Sequence, residues 1–190
     1  MNNHRRAFLR TGSAALLALS APAFALEKVA PLAGQLRAGS VTKHLKFENI
    51  HTGEKLAADY FVNGAYDPQA LQAINHVLRD YRNGEVHQMD PKLMNLLFDM
   101  NRQLETDSAF QVISGYRSPQ TNEMLHERSS GVAGKSLHLQ GMAIDIRVPG
   151  KSLVNVHQTA LKMASGGVGM YPSSNFVHVD VGRVRQWSGA

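Results

Sequence analysis

The sequence predicts a single α+β domain with a small, mainly antiparallel sheet, and three observations lead there. A chain of 190 residues, 43% of them hydrophobic, supplies one good-sized core and argues against a separate second domain. Between residues 67 and 104 apolar side chains recur at helical spacing behind clear helix starts. Runs with two-residue alternation gather towards the C-terminal end, and helices followed by clustered strands is the α+β order. With 18% charged residues and 16 Gly against 7 Pro, the composition is that of a globular protein rather than a disordered tail or a coiled coil.

The first 25 residues read as an export signal: a basic start, a small and apolar run from Gly12 to Ala21, and Ala23-Phe24-Ala25 as a cleavage site. The apolar run is well short of the roughly 20 residues that span a bilayer, so no permanent membrane span is expected. Arg5-Arg6-Ala7-Phe8-Leu9-Arg10 resembles a twin-arginine signal, which implies the twin-arginine (Tat) export machinery as a partner and a periplasmic location. A general secretory signal that contains two arginines by chance is the alternative. Residues 26–40 carry no sustained period and read as a linker or N-terminal arm, leaving 41–190 as the folded domain.

HLKFENI and KLAADYFV flank His51-Thr52-Gly53-Glu54, a hairpin signal. Asp67-Pro68 and Asp90-Pro91 each pair an N-cap acid with proline at the first helical position. The first helix carries Leu71, Ile74, Val77, Leu78 and Tyr81 and is expected to end at Asn83-Gly84; the second carries Leu93, Leu96, Leu97, Met100 and Leu104. A strand follows from Phe110 to Ser114, then a third helix capped by Ser118-Pro119 and running to about Glu127. Residues 128–141 form a Gly- and Ser-rich loop. Beyond it lie a strand at 142–148, a helix at about 152–164, and two short strands ending in FVHVDV.

A sequence pI of about 9.6 and a net charge of +5 invite a nucleic-acid reading. Removing the signal removes Arg5, Arg6 and Arg10 and no acid, which leaves 17 basic against 15 acidic residues, a net charge of +2. Most of the electrostatic support for nucleic acid goes with it. The absence of cysteine excludes thiolate catalysis, disulfides and cysteine-based zinc sites, leaving His, Asp and Glu as the strong metal ligands.

Alternation in Ala143-Ile144-Asp145-Ile146-Arg147-Val148 sets Asp145 opposite the apolar face, and alternation in Phe176-Val177-His178-Val179-Asp180 does the same for His178 and Asp180. If the two strands are neighbours, facing Cβ atoms lie about 4.5–5.5 Å apart, close enough for Asp145 and His178 to share one ion. His138 precedes the first strand by a short Gly-containing turn that can fold it over Asp145. Two imidazoles and a carboxylate suit a zinc site with an open fourth position. Each residue alone has an equally good ordinary reading: a capped buried Asp, a surface His in a loop, a hydrogen-bonded strand His.

The run Ser136-Leu137-His138-Leu139-Gln140-Gly141-Met142-Ala143-Ile144-Asp145 resembles the S-x-H-x-x-G-x-A-x-D signature of the zinc D-Ala-D-Ala peptidase superfamily. That superfamily includes VanX-type dipeptidases, LAS murein peptidases and the hedgehog signalling domain. Ser114-Gly115-Tyr116-Arg117-Ser118 and Phe176-Val177-His178-Val179-Asp180 resemble two further family segments, in the family's order, and the whole is most similar to the MepK group of murein endopeptidases. The resemblance implies a hedgehog/D-Ala-D-Ala-peptidase-like fold, one Zn2+ on His138, Asp145 and His178, Arg117 facing the substrate, and peptidoglycan cross-links as that substrate. Zinc would acidify a water and polarise the scissile carbonyl, while Arg117 would stabilise the oxyanion or clamp a carboxylate. Ser136 would either bond the substrate or shape the loop.

The family's general base does not carry over. Relatives with E-x-x-H place it where this chain has Asn175, and relatives with H-x-H where it has Phe176. Asp180 is the candidate catalytic residue in its place, either as base or as a partner orienting His178. A D,D- or L,D-carboxypeptidase or dipeptidase, and a zinc-containing wall-binding module without turnover, are the competing readings.

Overall fold

The computed structural model describes residues 41–128 and 133–189; the predicted signal at 1–25 and arm at 26–40 lie outside the described residues. Strands β1 (Lys43–Asn49) and β2 (Lys55–Val62) form the expected antiparallel hairpin. Asn49 closes its turn: its N–H donates to the Glu54 carbonyl (2.9 Å), and its side-chain oxygen accepts from the N–H groups of His51 (3.0 Å) and Thr52 (3.3 Å). A second, unpredicted hairpin adds β3 (Ala65–Tyr66), and Asn63 and Gly64 between the strands have φ of 53° and 87°. Positive φ at both central residues is what the tight two-residue turn requires, and Asn-Gly is its usual sequence.

Helix α1 (Pro68–Val77) starts as predicted, with the Asp67 carboxylate accepting from the Ala70 N–H, but it stops short of Tyr81. The buried Asp80 carboxylate takes over the following segment, accepting from the Ser118 N–H (2.9 Å), the Ser118 hydroxyl (2.7 Å) and the Arg82 N–H (3.0 Å). Leu78 leaves the helix, and its carbonyl accepts from the Tyr116 N–H at 2.8 Å. Its side chain is nevertheless fully buried, so the apolar period foretold burial correctly and backbone conformation incorrectly.

Helix α2 (Pro91–Gln103) buries Leu93, Met94, Leu96, Leu97 and Met100. Next come β4 (Phe110–Ser114), α3 (Pro119–Arg128), a 3₁₀ turn (Leu137–Gln140) inside the expected loop, β5 (Ala143–Arg147), α4 (Leu153–Met163), β6 (Gly167–Tyr171), β7 (Phe176–Asp180) and an unpredicted β8 (Arg185–Ser188). The strands form one sheet in the order β3-β2-β1-β4-β5-β7-β6-β8. Strand β1 is parallel to β4 and β6 to β8; the other neighbours are antiparallel, so the α+β class with a mainly antiparallel sheet holds.

Alternation divides the functions of the sheet's two faces. Ile144, Ile146, Val168, Val177 and Val179 share one core with the apolar faces of α1, α2 and α4. The other face carries Asp145, His178, Asp180, Gly167, Gly169, Tyr171, Arg185 and Trp187, brought side by side by the strand register. Among the described residues no helix is long and apolar enough to cross a membrane.

Candidate metal centre

The antiparallel register of β5 and β7 sets Asp145 directly opposite His178, as alternation predicts. His138 reaches them from the 3₁₀ turn. The Ser136 hydroxyl caps that turn at the His138 N–H (3.4 Å), and Gly141 closes it in the left-handed conformation, φ 66°. Glycine is needed at 141 for a second reason, because a Cβ there would strike the Gln88 carbonyl.

Three ligand atoms converge. His138 Nε2 lies 3.2 Å from His178 Nδ1 and 3.4 Å from an Asp145 oxygen, and that oxygen lies 2.9 Å from His178 Nδ1. A tetrahedral zinc with bonds of about 2.0–2.1 Å holds its ligand atoms about 3.3 Å apart, so the triangle fits. Among the described residues no other group of three His, Asp or Glu side chains converges in this way. The outward-facing nitrogens are also engaged, as in metal-binding imidazoles generally. His138 Nδ1 sits 2.7 Å from the Gly115 carbonyl, and His178 Nε2 sits 3.0 Å from an Asp180 oxygen.

At Asp145 and His138, though not at His178, electrostatics favours the same use. Burial alone would raise the Asp145 carboxyl, but the charges and hydrogen bonds of His138 and His178 outweigh it and hold Asp145 well below the usual carboxylate range. Burial pushes His138 down despite Asp145, which favours the neutral imidazole a metal needs. His178 is raised: its hydrogen bonds and ion pairing with Asp145 and Asp180 exceed the opposing effect of burial.

Arg117 borders the triangle, with Nη2 3.8 Å from the second Asp145 oxygen and Nη1 donating to the Asn122 side chain at 3.3 Å. Its Nε is buried and has no hydrogen-bond partner among the described residues. The segment carrying it is tied on both sides: the Arg117 N–H donates to the His138 carbonyl (3.2 Å), and Gly115 lies so close to Leu78 that a Cβ would drive into the Leu78 carbonyl. Asp180 is fully buried. One oxygen accepts from the N–H groups of Gly167 and Gly182 (both 2.9 Å) and from Arg185 (3.1 Å); the other faces His178 and accepts from Arg185 at 2.7 Å.

Asn175 sits in the turn between β6 and β7 with φ 53°, Phe176 stacks on Tyr171, and neither side chain carries a group that takes up a proton. Sequence reading missed Arg185 and Trp187, whose ring centroid lies 5.1 Å from that of His178. Both sit on β8, and the one signal for them is their two-residue spacing, which sets both on one face.

The family profile described as peptidoglycan L,D-endopeptidase MepK matches residues 37–187. The peptidoglycan L,D-endopeptidase MepK of Escherichia coli (strain K12) is 42% identical over 187 residues, covering 97% of this chain and 97% of that protein. The Shigella flexneri protein of that name matches to the same extent. The probable peptidoglycan L,D-endopeptidase MepK of Haemophilus influenzae is 42% identical over 146 residues, 76% of this chain and 78% of its own. No solved structure matches the chain significantly. A family match across most of the folded domain, and relatives alike over nearly their full length, show that the chain belongs to the peptidoglycan L,D-endopeptidase MepK family of peptidases.

Proposed function

We propose that the protein is a zinc-dependent murein endopeptidase, exported through the twin-arginine pathway, that hydrolyses amide bonds between L and D centres in the periplasmic peptidoglycan cross-links. The observation that carries this reading is the triangle of His138 Nε2, His178 Nδ1 and Asp145 with the Arg117 guanidinium at its edge. Zinc, when bound there, supplies Lewis acidity that makes water nucleophilic near neutral pH and polarises a carbonyl. The protein supplies the rest. Asp145 contributes the anionic ligand, the Gly115 carbonyl fixes the tautomer and tilt of His138, and Arg117 offers a cation to the oxygen of the attacked amide. Ser136 serves the site by shaping the turn that presents His138, since its hydroxyl is used as that turn's cap.

Of the two roles open to Asp180, orientation of His178 is the better supported, because both its oxygens already accept from fixed donors. Asp180→Asn is expected to weaken zinc binding about 10–100-fold, while kcat at saturating zinc stays within about threefold. Equilibrium dialysis alongside turnover separates the roles: a collapse of kcat with zinc affinity intact would identify Asp180 as the base.

The activity is tested by incubating the zinc-loaded mature chain with purified sacculi and identifying the products by mass spectrometry. Cross-linked dimers should disappear in favour of monomers cut at an L,D bond, and a chelator should stop the reaction. Release of terminal residues alone would make the protein a carboxypeptidase. Wall binding without turnover would make it a binding module.

A further inference from the structure

The roles above leave unused an aromatic strip on the same sheet face. Gly169 of β6 pairs with His178 on one side and with Trp187 on the other, so one glycine separates a metal ligand from the indole. A Cβ at 169 would run into the Trp187 ring, and its absence lets the indole lie across the strand, with its ring at 52° to that of His178. The indole is held by two partners: at its edge Nε1–H donates to the Tyr171 hydroxyl at 2.9 Å, and the Arg185 guanidinium lies over the ring, 5.0 Å from its centroid. Tyr171 in turn stacks on Phe176 at 4.5 Å. All three aromatics are half-buried rather than sunk in the core.

A peptide whose scissile amide lies against the triangle must carry its next residue past this strip. Aromatic surface already held in place by its neighbours offers apolar contact at little entropic cost. Its closeness to His178 favours the peptide over the more distant glycan as occupant. We propose that Trp187 is a substrate-binding, specificity-determining residue: with Tyr171 and Phe176 it forms the subsite for aliphatic parts of the wall-peptide residue next to the scissile bond. The proposal rests on the endopeptidase reading above.

Trp187 is the single tryptophan of the sequence, so its emission reports on this subsite alone. Titrating the metal-stripped wild type with a glycan-free cross-linked wall peptide should give a saturable change in that emission. In the zinc-loaded enzyme, Trp187→Leu should raise KM for this peptide about tenfold, with kcat within about twofold and zinc content unchanged; Trp187→Phe should fall between. If the wild type hydrolyses the peptide but saturating peptide leaves the emission unmoved, or both variants keep the wild-type KM, the subsite is overturned. It is likewise overturned if only glycan-bearing substrate produces either effect. Should Trp187→Leu fail to fold, the wild-type titration decides. Failure of the zinc-loaded wild type to cleave would remove the endopeptidase reading, whereas a saturable emission change in that protein would still support the subsite.

Discussion

His138→Ala is expected to strip the protein of bound zinc and to lower muropeptide release at least about a thousandfold. Removing a group that merely orients a ligand costs 10–100-fold in affinity, and removing the ligand itself costs more. Asp145 and His178 remain 2.9 Å apart, a pair without the third contact that fixes a tetrahedral ion. The fold should survive, because the imidazole's hydrogen bond to the protein outside the triangle is the 2.7 Å contact with the Gly115 carbonyl. Leaving that carbonyl unsatisfied costs about 1–3 kcal/mol. Elemental analysis, circular dichroism and digestion of sacculi check the three statements separately. Excess zinc should not restore activity, and a variant that retains stoichiometric zinc would take His138 out of the ligand set.

Arg117→Gln is expected to lower kcat about 10²–10³-fold with zinc content unchanged, the usual cost of losing one donor to a developing oxyanion. Burial depresses the Arg117 pKa against the opposing pull of Asp145, but a guanidinium stays charged, so the protein holds a desolvated cation beside the Asp145 carboxylate. Such a charge is useful where negative charge appears during reaction. Arg117→Lys should recover only part of the loss, because an ammonium cannot keep the bond to Asn122 while reaching forward as a fork does. Steady-state kinetics separates the alternatives. A rise in KM with kcat preserved would mean that Arg117 clamps a ground-state carboxylate, and no change in either would make it structural.

The legible parts of this molecule were those set by local chemistry. Asp67-Pro68 and Asp90-Pro91 announced two helix starts, since capping and the fixed φ of proline act within one turn. The facing of Asp145 and His178 followed from alternation once their strands were taken as neighbours. The end of α1 was not legible: Leu78 continues the apolar period, and what breaks the helix is a bond from Asp80 to a serine 38 positions away. Strand β8 was hidden for a similar reason, because Arg185–Ser188 has no apolar alternation and is a strand only by pairing with β6. The identity of Asp180's partner was hidden with it, and so the choice between base and orienting group could not be weighed. Asn63-Gly64, by contrast, was a readable turn signal that the longer hairpin beside it overshadowed.

The two short strands missed in the sequence are also the two ends of the sheet. An uncovered strand edge is a template on which another chain can add by backbone pairing, and very short or charged edge strands blunt it. Here the outermost positions fall to a two-residue strand, Ala65–Tyr66, and a four-residue strand that begins with Arg185, while the longer, more apolar strands are paired on both sides. The sheet that carries the candidate metal ligands thus offers a neighbouring chain only two short edges on which to add a strand.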